Sequence, residues 1–244
     1  MTVTTAAGET KQNYDILILA TGTRTVAESP WKASLAGYEA TKDILHKHQS
    51  RVKAAESIVL GGAGPTGVEA AGELGFEYGK TKEITLITAA AELCADCLPV
   101  SIAKGAENVL RTMNVKIVKG VKVTDAKPTT QGQTELTLSN GETKVVDLYI
   151  STVGMLPNSE YIPNNLLNEQ GYAMVDQHLR VKNAADIWAV GDIVDIEPSQ
   201  VVYAEKQIVA LSKNLDLVLK GKQPVIYKTG GDRTSPLPYS SHSS

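Results

Sequence analysis

Several things are scarce in this 244-residue chain, and each scarcity removes a class of function. Two cysteines cannot build a disulfide framework, so a reducing setting is the default expectation, the cytoplasm first, with a mitochondrial or membrane-peripheral association left open. Aromatic residues make up 5%, which argues against stacking platforms for single-stranded nucleic acid. Neither charge dominates: 24 Lys and Arg stand against 27 Asp and Glu, a net charge of −3. The electrostatics therefore favour neither nucleic acid nor an anionic membrane as a partner. No apolar run approaches the ~18 residues that span a bilayer. The first residues, Met1-Thr2-Val3-Thr4-Thr5-Ala6-Ala7, show no basic segment leading into an apolar one, so no secretion signal is expected. A metal centre is not expected either. His46 and His48 point to different faces of a helix, His178 and His242 are isolated, and no second CxxC exists. Nor is there a nucleophile elbow of the hydrolase kind.

What is present is a globular composition. Hydrophobic residues make up 42%, enough for a buried core, and the length allows one to two domains. Tyr14 to Ala20 is a short apolar run closed by Thr21-Gly22, which reads as a buried strand. Val3-Thr4-Thr5 reads as a strand before it, and Gly8-Glu9-Thr10 as a turn. Residues 38–55 carry helix formers on an amphipathic pattern. Strands at 57–61, 84–88 and 115–118 then alternate with helices at 64–79 and 100–113. This order is the signature of a doubly wound α/β fold. Residues 121–125, 134–138 and 145–150 read as strands of a β-meander, with Asn140-Gly141 as the hairpin turn between the last two. Residues 186–190 form another buried strand, and a helix spans roughly 200–219. The Pro/Ser-rich end of the chain reads as a disordered tail.

Between the strand at 57–61 and its helix lies Gly62-Ala63-Gly64-Pro65-Thr66-Gly67. A glycine at the first position permits the tight turn. One at the third lets a pyrophosphate approach the backbone, and one at the sixth lets the helix pack on the strand. The helix N-terminus then offers amide donors and a partial positive charge. A GxGxxG on its own is weak, but here strand, helix and next strand all fall where a dinucleotide needs them. The second strand ends in Thr88-Ala89-Ala90-Ala91, where a ribose-binding carboxylate is commonly found. The nearest acid is Glu92, and no arginine stands there for a 2′-phosphate. The choice between NAD and NADP stays open.

Two further strands end in glycine, at Ala20-Thr21-Gly22 and at Val190-Gly191-Asp192, and they flank the dinucleotide unit. With Leu19 to Arg24, Ile58 to Leu74, Ser151-Thr152-Val153-Gly154, Pro157-Asn158 and Ile187 to Asp192, they carry a family resemblance over roughly residues 10–220. The sequence resembles the apoptosis-inducing-factor-like (AMID-like) NAD(P)H oxidoreductases, relatives of type II NADH dehydrogenases within the two-dinucleotide flavoproteins. The resemblance implies a Rossmann-like, doubly wound NAD(P)-binding domain inserted in a partial FAD-binding domain. Residues 1–55 would be a partial FAD segment with a connecting helix, 56–150 the NAD(P) domain with its meander, 151–221 the returning FAD segment and 222–244 a disordered tail.

The resemblance also implies roles. Gly62, Ala63, Gly64, Pro65, Thr66, Gly67 and Thr88 would line NAD(P)H. Ala20, Thr21, Gly22, Gly154, Gly191 and Asp192 would line FAD and its crossovers, with Asp192 on a ribityl hydroxyl. The plainer reading of Asp192 is a turn residue. Glu69 would sit beside flavin and nicotinamide as the catalytic residue; its plainer reading is a solvated helix position. The implied activity passes hydride from NAD(P)H to FAD, and electrons on to a quinone or other small-molecule acceptor. The family's first GxGxxG, which holds the ADP half of FAD, and its C-terminal domain have no counterpart in this sequence. The alternative reading is therefore a noncatalytic NAD(P)-binding module that does not hold FAD tightly. Cys94-Ala95-Asp96-Cys97 is a CxxC and invites a thioredoxin-like reading. In flavin disulfide reductases, however, the active pair lies before the NAD(P) glycine turn, not after its second strand. No redox role is expected for the pair on that ground.

Overall fold

The computed structural model describes residues 2–5, 8–26, 28–95 and 97–229. The chain forms two compact units, one of Met1–Thr23 with Leu156–Ser244 and one of Arg24–Met155. Four strands come first: β1 (Thr2–Thr5), β2 (Gly8–Lys11), β3 (Leu17–Leu19) and β4 (Thr23–Thr25), followed by helix α1 (Tyr38–Ala54). A regular alternation follows: β5 (Ser57–Gly61), α2 (Pro65–Tyr78), β6 (Glu83–Thr88), α3 (Val100–Thr112) and β7 (Val115–Lys119). Next are β8 (Val123–Pro128), β9 (Thr134–Leu138), β10 (Thr143–Val146) and β11 (Leu148–Ser151). Short strands β12 (Met155–Pro157) and β13 (Ile187–Ala189) precede helix α4 (Val201–Leu219).

In the Arg24–Met155 unit, four parallel strands lie in the order β7-β6-β5-β11. Counted along the chain this is 3-2-1-4, the order of a doubly wound nucleotide-binding sheet. Such a sheet must be covered on both faces. Alternate residues of β5 show how this is done. Ile58 and Leu60 join a core with Ala70 and Ala71 of α2 and Leu110 of α3. Val59, between them, packs with Ile87 and with Leu136, Leu138 and Val146 of the antiparallel β8-β9-β10 layer. Helix α1 also falls in this unit, where Val52 packs against the helix-side core.

Asp147 corrects one expectation. The apolar stretch 145–150 is two strands rather than one: β10 ends at Val146, in the meander, and β11 starts at Leu148, in the parallel sheet. The break is chemical. Asp147 Oδ2 accepts the backbone N–H groups of Glu56 and Ser57 at 3.1 and 2.9 Å and the Ser57 hydroxyl at 2.9 Å. Its Oδ1 accepts Gln133 Nε2 at 2.8 Å. These bonds, led by that from Gln133, hold the carboxyl down at about 2. A second expectation also changes. Gly8–Thr10 is strand rather than turn, with Thr4 opposite Glu9 in an antiparallel pair. Gly8 takes φ 115° at the first position of that strand, a backbone only glycine adopts readily.

The other unit is organised around a parallel pair of short strands, β3 and β13, with Ile18 opposite Trp188. Helix α4 is tied in by buried polar side chains. Gln207, 2% exposed, accepts the Gly191 N–H through Oε1 at 2.8 Å and donates through Nε2 to Glu197 at 2.9 Å. Tyr227 donates its hydroxyl to the same carboxylate at 2.6 Å. Asn214, fully buried, accepts the Val225 N–H at 2.7 Å and donates to the carbonyls of Val225 and His178 at 2.9 and 3.0 Å. Residues 222–229, expected as part of a disordered tail, are therefore held at Val225 by Asn214 of α4, and at Tyr227 by the Gln177 carbonyl, which accepts its N–H at 2.8 Å, and by the Glu197 carboxylate. Residues 230–244 of that tail lie outside the described residues.

Candidate functional site

Strand β5 ends at Gly61 and α2 begins at Pro65, so the chain reverses within residues 62–64 at the C-terminal edge of the sheet. This edge lies beside the reversal of strand order between β5 and β11, where open α/β sheets bind ligands. The glycines have separate tasks. Gly62 takes φ 114°, and a Cβ there would stand 2.3 Å from Val153 Cγ1. A Cβ on Gly67 would stand 2.0 Å from the Gly62 carbonyl oxygen. These two glycines are demanded by packing. Gly64 is different: its φ is −70°, and a Cβ would meet nothing within 4 Å. The space over Gly64 is open. It faces the start of α2, which no side chain caps and whose first residue is a proline. Amides of that first turn have no acceptor within the helix, and the dipole there is positive. This arrangement suits a phosphate.

Thr152, quoted in the sequence only as part of a linking phrase, holds the turn. Its N–H donates to the Gly61 carbonyl at 2.9 Å. Its hydroxyl lies 3.0 and 2.9 Å from the carbonyl oxygens of Gly61 and Gly62. Gly62 in turn donates its N–H to the Ile87 carbonyl at 2.8 Å. The two strands beside β5 thus both grip the glycine segment. No local pattern announces Thr152, because its partners lie 90 residues away. Gly154, at φ 80°, accepts the Val26 N–H at 3.3 Å.

The remaining candidates of this unit take the following places. Thr66 and Glu69 are exposed on the first turns of α2, and Ala63 is buried in the turn itself. Thr88 is buried at the end of β6, where its hydroxyl accepts the Ala90 N–H at 3.2 Å. In the sheet register Thr88 stands beside Lys119. Lys119 pairs with Glu107 at 2.5 Å and with Glu92 at 3.3 Å. The Glu107 bond holds the lysine above its ordinary value, and the Lys119 bond holds Glu107 below the usual carboxylate range. Glu92, the acid nearest the end of β6, is thus committed to Lys119. The CxxC loop also lies at this edge: the Cys94 N–H donates to the Ala63 carbonyl at 2.8 Å.

Of the FAD candidates, Gly154 falls in the Arg24–Met155 unit, apart from the rest, which come together in the other unit. Ala20-Thr21-Gly22 follow β3, and Gly191-Asp192 follow β13. Because those strands are parallel neighbours, both segments emerge at one edge, and the Val190 N–H donates to the Leu19 carbonyl at 3.1 Å. Thr23 donates its hydroxyl to Asp192 Oδ2 at 3.3 Å. Asn158 fixes the Thr-Gly segment. It donates Nδ2 to the Thr21 carbonyl at 2.8 Å and its N–H to the Gly22 carbonyl at 2.9 Å, and it accepts the Thr21 hydroxyl on its own carbonyl at 2.8 Å. A half-buried carboxylate at a strand's C-terminal end has the chemistry to accept sugar hydroxyls. The candidates thus form two sets: residues 62–67, 69, 88 and 154 in one unit, and 20–22, 191 and 192 in the other.

The sequence profile of the family described as pyridine nucleotide-disulphide oxidoreductase matches residues 1–207, and the chain belongs to that family. It is 45% identical over 219 residues to oxidoreductase ptaL of Pestalotiopsis fici, an alignment covering 90% of this chain and 58% of that protein. It is 26% identical over 233 residues to apoptosis-inducing factor homolog B of Dictyostelium discoideum, covering 86% of this chain and 59% of the relative. The apoptosis-inducing-factor-like resemblance read from the motifs agrees with these matches. The chain spans less than two thirds of the length of either relative. Among solved structures, a pyridine nucleotide-disulfide family oxidoreductase from Enterococcus faecalis superposes with a TM-score of 0.74 at 18% identity, over 93% of this chain and 53% of that one. The water-forming NADH oxidase from Lactobacillus brevis bound to NADH gives 0.70 at 21% identity, over 91% and 49%. These likenesses establish the Rossmann-like α/β fold.

Proposed function

We propose that the chain binds NAD(P)H across the turn Gly62 to Gly67 and is the nucleotide-binding part of an apoptosis-inducing-factor-like, FAD-dependent NAD(P)H oxidoreductase. The cofactors supply the redox chemistry when bound: hydride passes from NAD(P)H to FAD, and electrons pass on to a quinone or another small acceptor. The observation that carries this reading is the open space over Gly64, set at the uncapped start of α2 and at the switch point of a 3-2-1-4 sheet. Thr66 and Gly67 offer their amides to the pyrophosphate, while Thr152 and Gly62 keep the turn in shape. The loop after Thr88 receives the ribose. Asp192, steadied by Thr23, accepts a ribityl hydroxyl, and the segment Ala20 to Gly22 lies alongside. Glu69 orients the nicotinamide and flavin. The oxidoreductase relatives, and a structural neighbour solved with NADH, support the reading.

The test is an anaerobic mixture of the chain with excess FAD and NADH or NADPH, followed through the visible flavin band. The band bleaches faster with the chain than without it, and Glu69→Gln slows the bleaching about tenfold. Bleaching no faster than in buffer, in a sample that binds NAD(P)H, would contradict the redox reading.

A further inference from the structure

We propose that Cys94 and Cys97 form an oxidisable dithiol that small-molecule disulfides close to an intramolecular disulfide, and that closing it weakens nucleotide binding at the adjacent glycine turn. The second half rests on the function proposed above. The Cys97 N–H donates to the Cys94 carbonyl at 2.9 Å, which closes a four-residue turn. Turns of this kind bring their end Cα atoms within about 7 Å, and disulfides span about 4.4 to 6.8 Å. The two side chains are close enough for Cys97 to act on the Cys94 thiol. Their settings differ. Cys97 is exposed and Cys94 is buried. Burial, followed by the neighbouring Cys97 and the charge of Glu69, pushes the Cys94 thiol up to about 11. Cys97 is thus the sulfur that reagents reach, and Cys94 the protonated partner behind it.

The loop is joined to the nucleotide turn by one bond in particular, from the Cys94 N–H to the Ala63 carbonyl at 2.8 Å. Cys94 holds a left-handed backbone, φ 48°, which is uncommon for a residue with a Cβ. Leu93 beside it is fully buried in the sheet core. A covalent bond at Cys94 Sγ cannot be relieved by moving Leu93, so the adjustment falls on the Cys94 amide and on the carbonyl of Ala63 that it holds.

The chemistry balances with an external disulfide as oxidant. The Cys97 thiolate attacks one sulfur of that disulfide; the S–S bond breaks and one thiolate leaves. Cys94 then gives up its proton to the departing thiolate and attacks Cys97 Sγ in the mixed disulfide, expelling the second external thiolate, which takes a proton from solvent. Two cysteine thiols are oxidised and one external disulfide is reduced to two thiols.

The experiment incubates the 244-residue chain in mixtures of reduced and oxidised glutathione, quenches with acid and reads the intact mass. These are the chain's two cysteines, so the loss of two hydrogens identifies their bond. The expected product is the intramolecular disulfide. Cys94→Ser accumulates a stable glutathione adduct on Cys97, and Cys97→Ser stays unmodified. A native chain that accumulates the glutathione adduct, or that stays reduced, overturns the proposal. Calorimetric titration of NADH and NADPH into both forms then reads the coupling. The oxidised form binds about threefold more weakly, and saturating nucleotide shifts the half-oxidation ratio by the same factor. Equal affinity in the two forms overturns the coupling. If neither form binds nucleotide, the coupling falls with the proposed function, whereas the mass still decides the disulfide.

Discussion

At the scale of single residues, the glycine turn separates two demands that a motif merges. Gly67 is required by the fold, because its missing Cβ makes room for the Gly62 carbonyl. Gly64 has room to spare, since a Cβ there would meet nothing within 4 Å. Gly67→Ala is expected to destabilise the protein by about 3 kcal/mol, as overpacked sites do. Gly64→Ala should cost less than about 1 kcal/mol, since φ there suits alanine and only a modest cap preference is lost. Urea denaturation of the two variants checks the contrast; equal losses would refute the division of labour. The spacing of the glycines was legible in the sequence, and so was their order relative to strand and helix. Thr152 was not legible, because its hydroxyl earns meaning only when β11 pairs beside β5. The same holds for the Cys94 amide on Ala63, a contact between residues far apart along the chain.

At the scale of elements, the two polar anchors matter most. Asp147 turns one apolar run into two strands of different sheets and accepts bonds from Glu56, Ser57 and Gln133. Its carboxyl titrates well below the ordinary aspartate value in the folded chain, so it binds its proton more readily when unfolded. Its contribution to stability is therefore complete above about pH 4 and is lost as the pH falls towards about 2. Asp147→Asn should flatten the stability profile across that window, relative to the native chain, in denaturation curves taken at successive pH values. Parallel profiles would refute the assignment. Asn214 is the corresponding anchor in the other unit. Asn214→Ala leaves the Val225 N–H and two carbonyls without their partner, an expected loss of about 2 to 3 kcal/mol. Hydrogen exchange at Val225 and Tyr227 should speed up in that variant; unchanged protection would count against the anchor. Composition at the end of the chain pointed to disorder from 222 onward. It could not register that Asn214 on α4 would hold Val225, or that Gln177 and Glu197 would hold Tyr227, since those contacts form only in the folded unit.

At the scale of the whole molecule, the two units differ in how much of them could be read. The Arg24–Met155 unit comes from one continuous stretch, and its strand–helix alternation announced both the fold and the site. The other unit is assembled from two separate stretches, and its β3–β13 pair is only three residues long on each side. No periodicity predicts such a pairing. What joined Thr21-Gly22 to Gly191-Asp192 was the family resemblance, and the parallel pairing of the strands gives that resemblance its physical form. The central claim concerns the first unit: that the opening over Gly64 is where a nicotinamide dinucleotide binds. The most direct measurement is calorimetric titration of NADH and NADPH into the native chain and into Gly64→Val. The account predicts one site per native chain for at least one of the two nucleotides, and an affinity at least about tenfold weaker in the variant, a difference of about 1.4 kcal/mol. A folded Gly64→Val chain that binds as tightly as the native one would contradict it.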